Sequence, residues 1–395
     1  MLTLDVRIEP AEPILFGDNR SARAGEGHAV ADQDPSPATI YGAIGGRIAH
    51  RLGARGERHW APAAGVLGPF ARELDRPSAP GSRAELLGYA PCDAEGTPWL
   101  PKPLHLLIEK TGGEARSARG LLLPNLSARL TSSSLPPGWC PLRGEQDLEQ
   151  EDEEPLLIDE DLLGDVLSGA AGLDGSLGVS VRPERSLDAA EPRLGLTMAN
   201  ASNTAASGRL FARPYRRFHR EVLSGNRGWA GAGFTAWYRI LGDQDPGVSS
   251  WNGLGFLGGD RRRADFRFSI AGSNPLSMAR DRVCERAAES CGWLAYLLTP
   301  LPVPENGVTL DGCAPIAGAV GRTRYVSGWA SAAVEPGPRR LLALLPAGSV
   351  FFFEWRDDQQ DPELRRAWLQ ERWLAPLDPK YAAAGFGRVL TGVWP

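Results

Sequence analysis

Residues 2–8, Leu2 to Ile8, alternate apolar and polar side chains with a period of two, which predicts a half-buried β-strand closed by Pro10 and Pro13. A polar, glycine-rich loop follows from Phe16 to Pro37. Ser36-Pro37 then marks a helix start, with Ser as N-cap and Pro at the first helical position. Beyond it Ile40, Ala43, Ile44, Ile48 and Leu52 share one stripe. Gly42, Gly45 and Gly46 predict a closely packed neighbouring backbone, because each costs about 1 kcal/mol in a helix relative to Ala. A loop of this length between a first strand and its helix points to a functional segment.

From Leu86 to Leu107, short apolar runs broken by Pro and Gly predict edge strands and loops. Gly195-Leu-Thr-Met and Arg209-Leu-Phe flank a polar stretch, which predicts a protruding hairpin arm over about 195–213 rather than a tight turn. The second half begins with an alternating strand from Gly233, then a glycine-rich segment from Gly253 and a strand from Ala264 to Ile270. Residues 277–291 have helix periodicity (Val283, Ala287, Cys291), and 362–374 predict a short helix. Apolar runs from Trp293, Arg340 and Ser349 read as buried strands, and the chain closes through Gly385-Phe-Gly-Arg. Each half thus holds a strand, a helix and further strands. The expected fold is α+β: two ferredoxin-like (RRM-like, βαββαβ) domains with long insertions and the hairpin arm, one over 1–220 and one over 221–395.

The length of 395 residues suits two such cores. No apolar run reaches the roughly 20 residues of a membrane helix, and the amino terminus reads as a strand rather than a signal peptide. A cytoplasmic protein without membrane contact is expected. Five cysteines without a C-x-x-C support neither a zinc ribbon nor a disulfide framework. Cys284 and Cys291, seven apart on the expected helix, read as small core residues of one face.

Net charge of −5 argues against an anionic partner until its distribution is followed. Residues 145–161 hold ten acids and no base, and the remainder then carries +5. The acidic run reads as a surface insertion, which could also bind a basic partner protein. Residues 209–267 carry eleven Arg against five acids, a local +6. Local charge governs phosphate binding, since screening removes distant charge within about 10 Å. Arg outnumbers Lys forty to three, which suits bidentate phosphate contact, although a GC-rich coding bias gives the same excess.

Phosphate-binding, zinc-protease and nucleophile-elbow motifs are missing, and the five histidines are scattered, so no cofactor and no metal site is indicated. His28, in the long loop near Arg20 and Arg23, is the single candidate for a general base in a metal-independent ribonuclease; the alternative is an RNA-contacting or solvating loop residue. Arg261, Arg262 and Arg263 after Gly258 and Gly259 form the densest basic cluster, either a phosphate cradle or a solvated strand start. Arg213, Arg216, Arg217 and Arg220 interleave with Tyr215 and Phe218, either a stacking surface for single-stranded RNA or a core-facing aromatic pair with solvated Arg. Gly385-Phe-Gly387-Arg388 reads as a loop at an RNA groove or a plain turn before the last strand.

In order along the chain, Phe16-Gly-Asp-Asn-Arg, Pro-Ser-Pro-Ala-Thr-Ile-Tyr-Gly, Val181-Arg-Pro-Glu-Arg, Glu191-Pro-Arg-Leu-Gly-Leu, Ser207-Gly-Arg-Leu-Phe, Leu257-Gly-Gly-Asp-Arg-Arg, Tyr325-Val-Ser-Gly-Trp and Leu345-Pro-Ala-Gly-Ser resemble the RAMP superfamily. Within it they resemble the family of subunit three of type III-B (Cmr) CRISPR effector complexes. The resemblance implies a non-catalytic RNA-binding and assembly subunit that caps the 5′ tag of the crRNA. Its partners would be the large polymerase-like subunit and the backbone RAMP subunit. RNA contacts are then expected from Arg20, Arg23, His28, Ser36, Thr39 and Arg47 around the first helix, from the Arg213 to Arg217 and Gly258 to Arg263 clusters, and from Gly385, Gly387 and Arg388. A RAMP endoribonuclease that processes precursor crRNA, and the equivalent subunit of a type III-A complex, are the alternatives. Asp260, where the family tends to have Glu, and the acidic run are departures.

Overall fold

The alternation at the amino terminus becomes a nine-residue strand, β1 (Leu2–Pro10), whose Leu4, Val6 and Ile8 are fully buried. The computed structural model describes residues 1–16, 34–54, 66–67, 82–110, 116–128, 136, 138–144, 155–170, 175–176, 180–199, 204–222, 229–241, 247–258, 261–326, 329–330, 337–338 and 341–395. The strands that build its main frame are β2 (Ala84–Cys92), β3 (Asp188–Ala199), β4 (Thr204–Phe218), β5 (Gly233–Ile240), β6 (Gly253–Leu257), β7 (Arg262–Ile270), β8 (Gly292–Leu297), β9 (Ala317–Ala319), β10 (Val350–Glu354) and β11 (Val389–Trp394). The helices are α1 (Pro37–Arg51), α2 (Glu160–Leu167), α3 (Ser277–Arg286) and α4 (Pro362–Arg372). Among the described residues no helix is long and apolar enough to cross a membrane.

The first sheet has the order β6-β7-β1-β5-β2 with antiparallel neighbours. Val6 is the partner of Ala236 on one side and Phe268 on the other, so the inward positions of three strands meet over α1. Ile40, Ile44 and Ile48 of α1 are fully buried there, each stabilising the fold by about 1.5–3 kcal/mol. The helix starts as its sequence predicts: the Thr39 N–H donates to the Ser36 hydroxyl at 3.3 Å and Pro37 opens the first turn. The expected close backbone approach is not found at Gly42 or Gly46, where a Cβ would meet nothing within 4 Å, while Gly45 is buried. Three strands beyond residue 220 (β5, β6 and β7) pair in this sheet with β1 and β2. Periodicity names strands but not their partners.

The second sheet, β9-β10-β8-β11, is buried on both faces. Trp293 of β8 stacks on Phe353 of β10 with ring centroids 3.9 Å apart. Leu163, Val283 and Leu369 bring α2, α3 and α4 onto the same core. The acidic run is partly ordered structure: Leu156–Ile158 is a strand, and Asp159 caps α2 through the Leu162 N–H at 2.9 Å. Glu160 and Asp161 in the first turn suit the positive end of the helix. Residues 145–154 lie outside the described residues. Cysteines 284 and 291 do not share a face: α3 ends at Arg286, Cys284 is buried and Cys291 exposed. The expected arm is a longer hairpin than 195–213. β3 and β4 pair from Asp188↔Phe218 out to Ala199↔Thr204, so main-chain pairing runs through the polar stretch.

Candidate nucleic-acid interface

The hairpin is rooted where the long loop leaves and returns. Ile14 and Arg216 exchange main-chain hydrogen bonds of 2.9 and 2.8 Å. The Arg216 guanidinium then gathers three carboxylates: Asp188 at 2.5 Å, Asp34 at 2.8 Å and Glu184 at 3.2 Å. Arg324 approaches Asp34 at 3.8 Å from the second half. Burial, reinforced by the Asp34 charge, pushes the Glu184 carboxyl up to about 9. Asp34, despite the upward pull of burial, is held below the usual carboxylate range by the Glu184 hydrogen bond and by Arg216. Arg216 is thus committed to acids inside the fold. Tyr215 and Phe218 are 5% and 7% exposed, so the core-facing alternative holds for both rings. Tyr215 lies between the guanidiniums of Arg262 and Arg193, 4.9 and 5.1 Å from its centroid, and Phe218 meets Phe234 edge-on at 5.2 Å. Arg217 is exposed but bonded to Glu191, and Arg213 lies opposite Arg193 in register.

The turn between β6 and β7 is different. Gly258 (φ 72) lets the chain pass over Leu15, whose carbonyl would stand 2.6 Å from a Cβ, so this glycine serves packing; Gly259 lies outside the described residues. Arg262 turns to Glu12 at 3.0 Å and to the Tyr215 hydroxyl at 3.2 Å. The other oxygen of Glu12 accepts from the Arg263 N–H at 2.8 Å. Arg261 and Arg263 are exposed, and among the described residues neither guanidinium has an acidic partner. Arg261 takes left-handed geometry (φ 50), costing roughly 1–2 kcal/mol, and its guanidinium lies 5.2 Å over the Phe256 ring.

Other expected contacts are structural. Arg47 is 8% exposed and donates to the carbonyls of Trp251 at 2.8 Å, Leu254 at 3.1 Å and Asn252, fastening α1 to the start of β6. Residues 383–394 are buried. Gly385 (φ 80) and Gly387 (φ 63) hold a left-handed path, and a Cβ at Gly387 would lie 2.5 Å from the Leu301 side chain. Arg388, 1% exposed, donates to Glu85 and to two carbonyls. That segment is a buried turn before β11.

Arg20, Arg23 and His28 lie outside the described residues. Ser36 opens onto a cleft of about 710 Å³ between the halves, together with Tyr89, Glu184, Arg322, Thr323 and Arg324. Thr39 stays beside it through a 3.0 Å hydroxyl contact with Ser36. Arg322 and Arg324 were not singled out in the sequence; two Arg spaced to lie on one side of a short strand were the available signal. Glu12, set among prolines, gave none. Among the described residues no group of three His, Cys, Asp or Glu could hold a metal ion.

The family described as CRISPR-associated protein (Cas_Cmr3) matches residues 6–394. No curated relative matches the sequence. Among solved structures, the chain is similar to a chain of the type III-B Cmr-beta bound to cognate target RNA and AMPPnP, state 1, seen by cryo-EM. Identity is 15%, coverage is 88% of this chain and 86% of that one, and the TM-score is 0.45. A second, from the type III-B Cmr-beta bound to cognate target RNA, is 12% identical over 92% and 94% of the two chains, with a TM-score of 0.44. A match that runs from the middle of β1 to the last residue of β11 covers both sheets and everything between them: the chain belongs to the Cas_Cmr3 family of CRISPR-associated proteins.

Proposed function

We propose that this chain is a non-catalytic, RNA-binding and assembly subunit of a cytoplasmic type III-B CRISPR effector complex, holding the 5′ tag of the crRNA beside the large polymerase-like subunit and the backbone RAMP subunit. The observation that carries the RNA reading is the pair Arg261 and Arg263, exposed where the chain enters β7 while Arg216 and Arg262 are bound to acids. Acid-paired guanidiniums such as Arg216 and Arg262 have little left for phosphate, whereas these two have their full charge and release counterions when RNA binds. The cleft holds both signs of charge, with Arg324 facing Asp34 at 3.8 Å and Glu184 beside them, which makes it a poorer phosphate site. Family membership supports the assembly role.

The ferredoxin-like reading of each half is supported by strand order. Taken in chain order, β1, β2, β5 and β7 lie fourth-first-third-second across the first sheet, and β8, β9, β10 and β11 do the same in the second. On that reading the boundary falls between Ile270 and α3, with residues 93–232 an insertion in the first half.

The test is filter binding of a tagged guide RNA over a salt series. Affinity falls with a slope of about 0.7 per neutralised phosphate, and the R261A/R263A double variant has a shallower slope than wild type. An affinity independent of salt overturns the reading.

A further inference from the structure

Phe256 is 52% exposed on β6, the edge strand of the first sheet, and Leu254, two residues earlier on the same face, is 57% exposed. Its cross-strand partner is Arg263, and the Arg261 guanidinium lies 5.2 Å over its ring. Asp265, the cross-strand partner of Leu254, is turned to Arg267 at 3.1 Å. The ring is therefore an apolar surface beside two cations whose guanidiniums form no ion pair among the described residues. Isolated surface apolar residues are ordinary. This one is flanked by guanidinium on the strand beside it and by a second over its ring, from Arg261 in left-handed geometry.

We infer that Phe256 is a stacking platform for one unpaired base of a single-stranded RNA, with Arg261 and Arg263 taking the flanking phosphates. The inference rests on the RNA reading above and assigns it a base contact. A base presents a π-face to the ring whatever its sequence, and the two guanidiniums supply charge for the backbone on either side. An added β-strand from a protein is disfavoured on this edge, because the Leu254 carbonyl is already taken by Arg47 at 3.1 Å.

The experiment uses the full chain and fluorescein-labelled oligo(A) RNA, followed by anisotropy over a potassium chloride series. F256A should bind about 5- to 100-fold more weakly with the salt slope of wild type, because a stacked base releases no counterions. F256W should restore affinity, and R261A/R263A should lower the slope. Photocrosslinking of a 4-thiouridine RNA to the wild-type chain should mark the peptide that contains Phe256, which keeps the test open if F256A folds poorly. Wild-type affinity in a folded F256A, with R261A/R263A still weakened, overturns the platform and leaves the RNA reading standing. No RNA binding by the wild-type chain overturns both. Loss of a neighbouring subunit from a reconstituted complex by F256A, with RNA affinity intact, assigns the face to protein and also overturns the inference.

Discussion

The guanidinium of Arg388, in the second half, reaches the Glu85 carboxylate on β2 of the first half at 2.5 Å. It donates as well to the carbonyls of Leu374 at 2.9 Å and Ala382 at 2.6 Å, and Glu85 also accepts from Arg239 at 3.0 Å. Removing one member of a buried, hydrogen-bonded pair leaves uncompensated polar groups. R388A should therefore lose about 3–5 kcal/mol, read as a lower urea midpoint. RNA affinity per folded molecule should match wild type, and a normal midpoint with weakened RNA binding would return Arg388 to the RNA surface.

That residue also shows where the sequence stops being informative. Gly385-Phe-Gly-Arg announces a permissive backbone with a cation after it, and the turn is there. Its direction is set by β11, whose register places Arg388 under Glu85, some three hundred positions away. Local signals are legible: Ser36-Pro37 caps α1, and the alternation of β1 and the apolar runs of β8 and β10 form strands. Partnerships between distant segments were not legible, because nothing in the pattern of Gly233–Ile240 says that it lies between β1 and β2. For the same reason the basic cluster around Tyr215 could not be divided from the sequence alone. Arg216 and Arg262 are bound by acids from elsewhere in the chain, while Arg261 and Arg263 stay exposed.

The carboxyl of Glu184 keeps its proton in the folded protein up to about 9, because of burial first and the Asp34 charge second. Unfolded, it releases the proton near 4.5. A group raised in the fold contributes stability that is complete below the unfolded value and drains away as pH rises toward the folded one. Stability attributable to Glu184 should thus fall between pH 4.5 and 9, by at most about 1.4 kcal/mol per pH unit. E184Q still accepts from Arg216 and donates to Asp34, yet has no proton to lose. Its denaturation midpoint should overtake that of wild type progressively as pH rises, and a constant difference from pH 5 to 9 would contradict the assignment.

His105 has the opposite sign. It is fully buried, neither ring nitrogen has a partner among the described residues, and the ring meets Phe352 edge-on at 5.6 Å. Burial, with the Lys102 charge nearby, pushes it down to about 3. The unfolded chain takes up the proton near 6.5 and the folded one refuses it, so stability is lost as pH falls from 6.5 toward 3. Between pH 6.5 and 5 that loss amounts to at most about 2 kcal/mol. H105F fills the same apolar place without titrating and should flatten this acid limb. At neutral pH it should also gain about 1–3 kcal/mol by removing unpaired buried nitrogens. Equal acid sensitivity of the two proteins would show that other groups govern the limb.

Arg47 offers the sharpest separation between holding the fold and holding RNA. Three main-chain carbonyls around the start of β6 share its guanidinium, and one of them, on Leu254, belongs to the edge strand. R47A strips all three acceptors of a charged donor, a loss of about 2–4 kcal/mol once water returns to part of the site. It also frees a carbonyl on an edge that then has nothing to stop another strand from pairing. R47A should melt earlier and self-associate with rising concentration, as followed by sedimentation. R47K should recover only part of the stability, since an ammonium cannot span three acceptors set out for a planar fork. The slope of RNA affinity against salt should be that of wild type, because a guanidinium occupied by carbonyls neutralises no phosphate. A shallower slope in a stable, monomeric R47A would place this arginine on the guide instead.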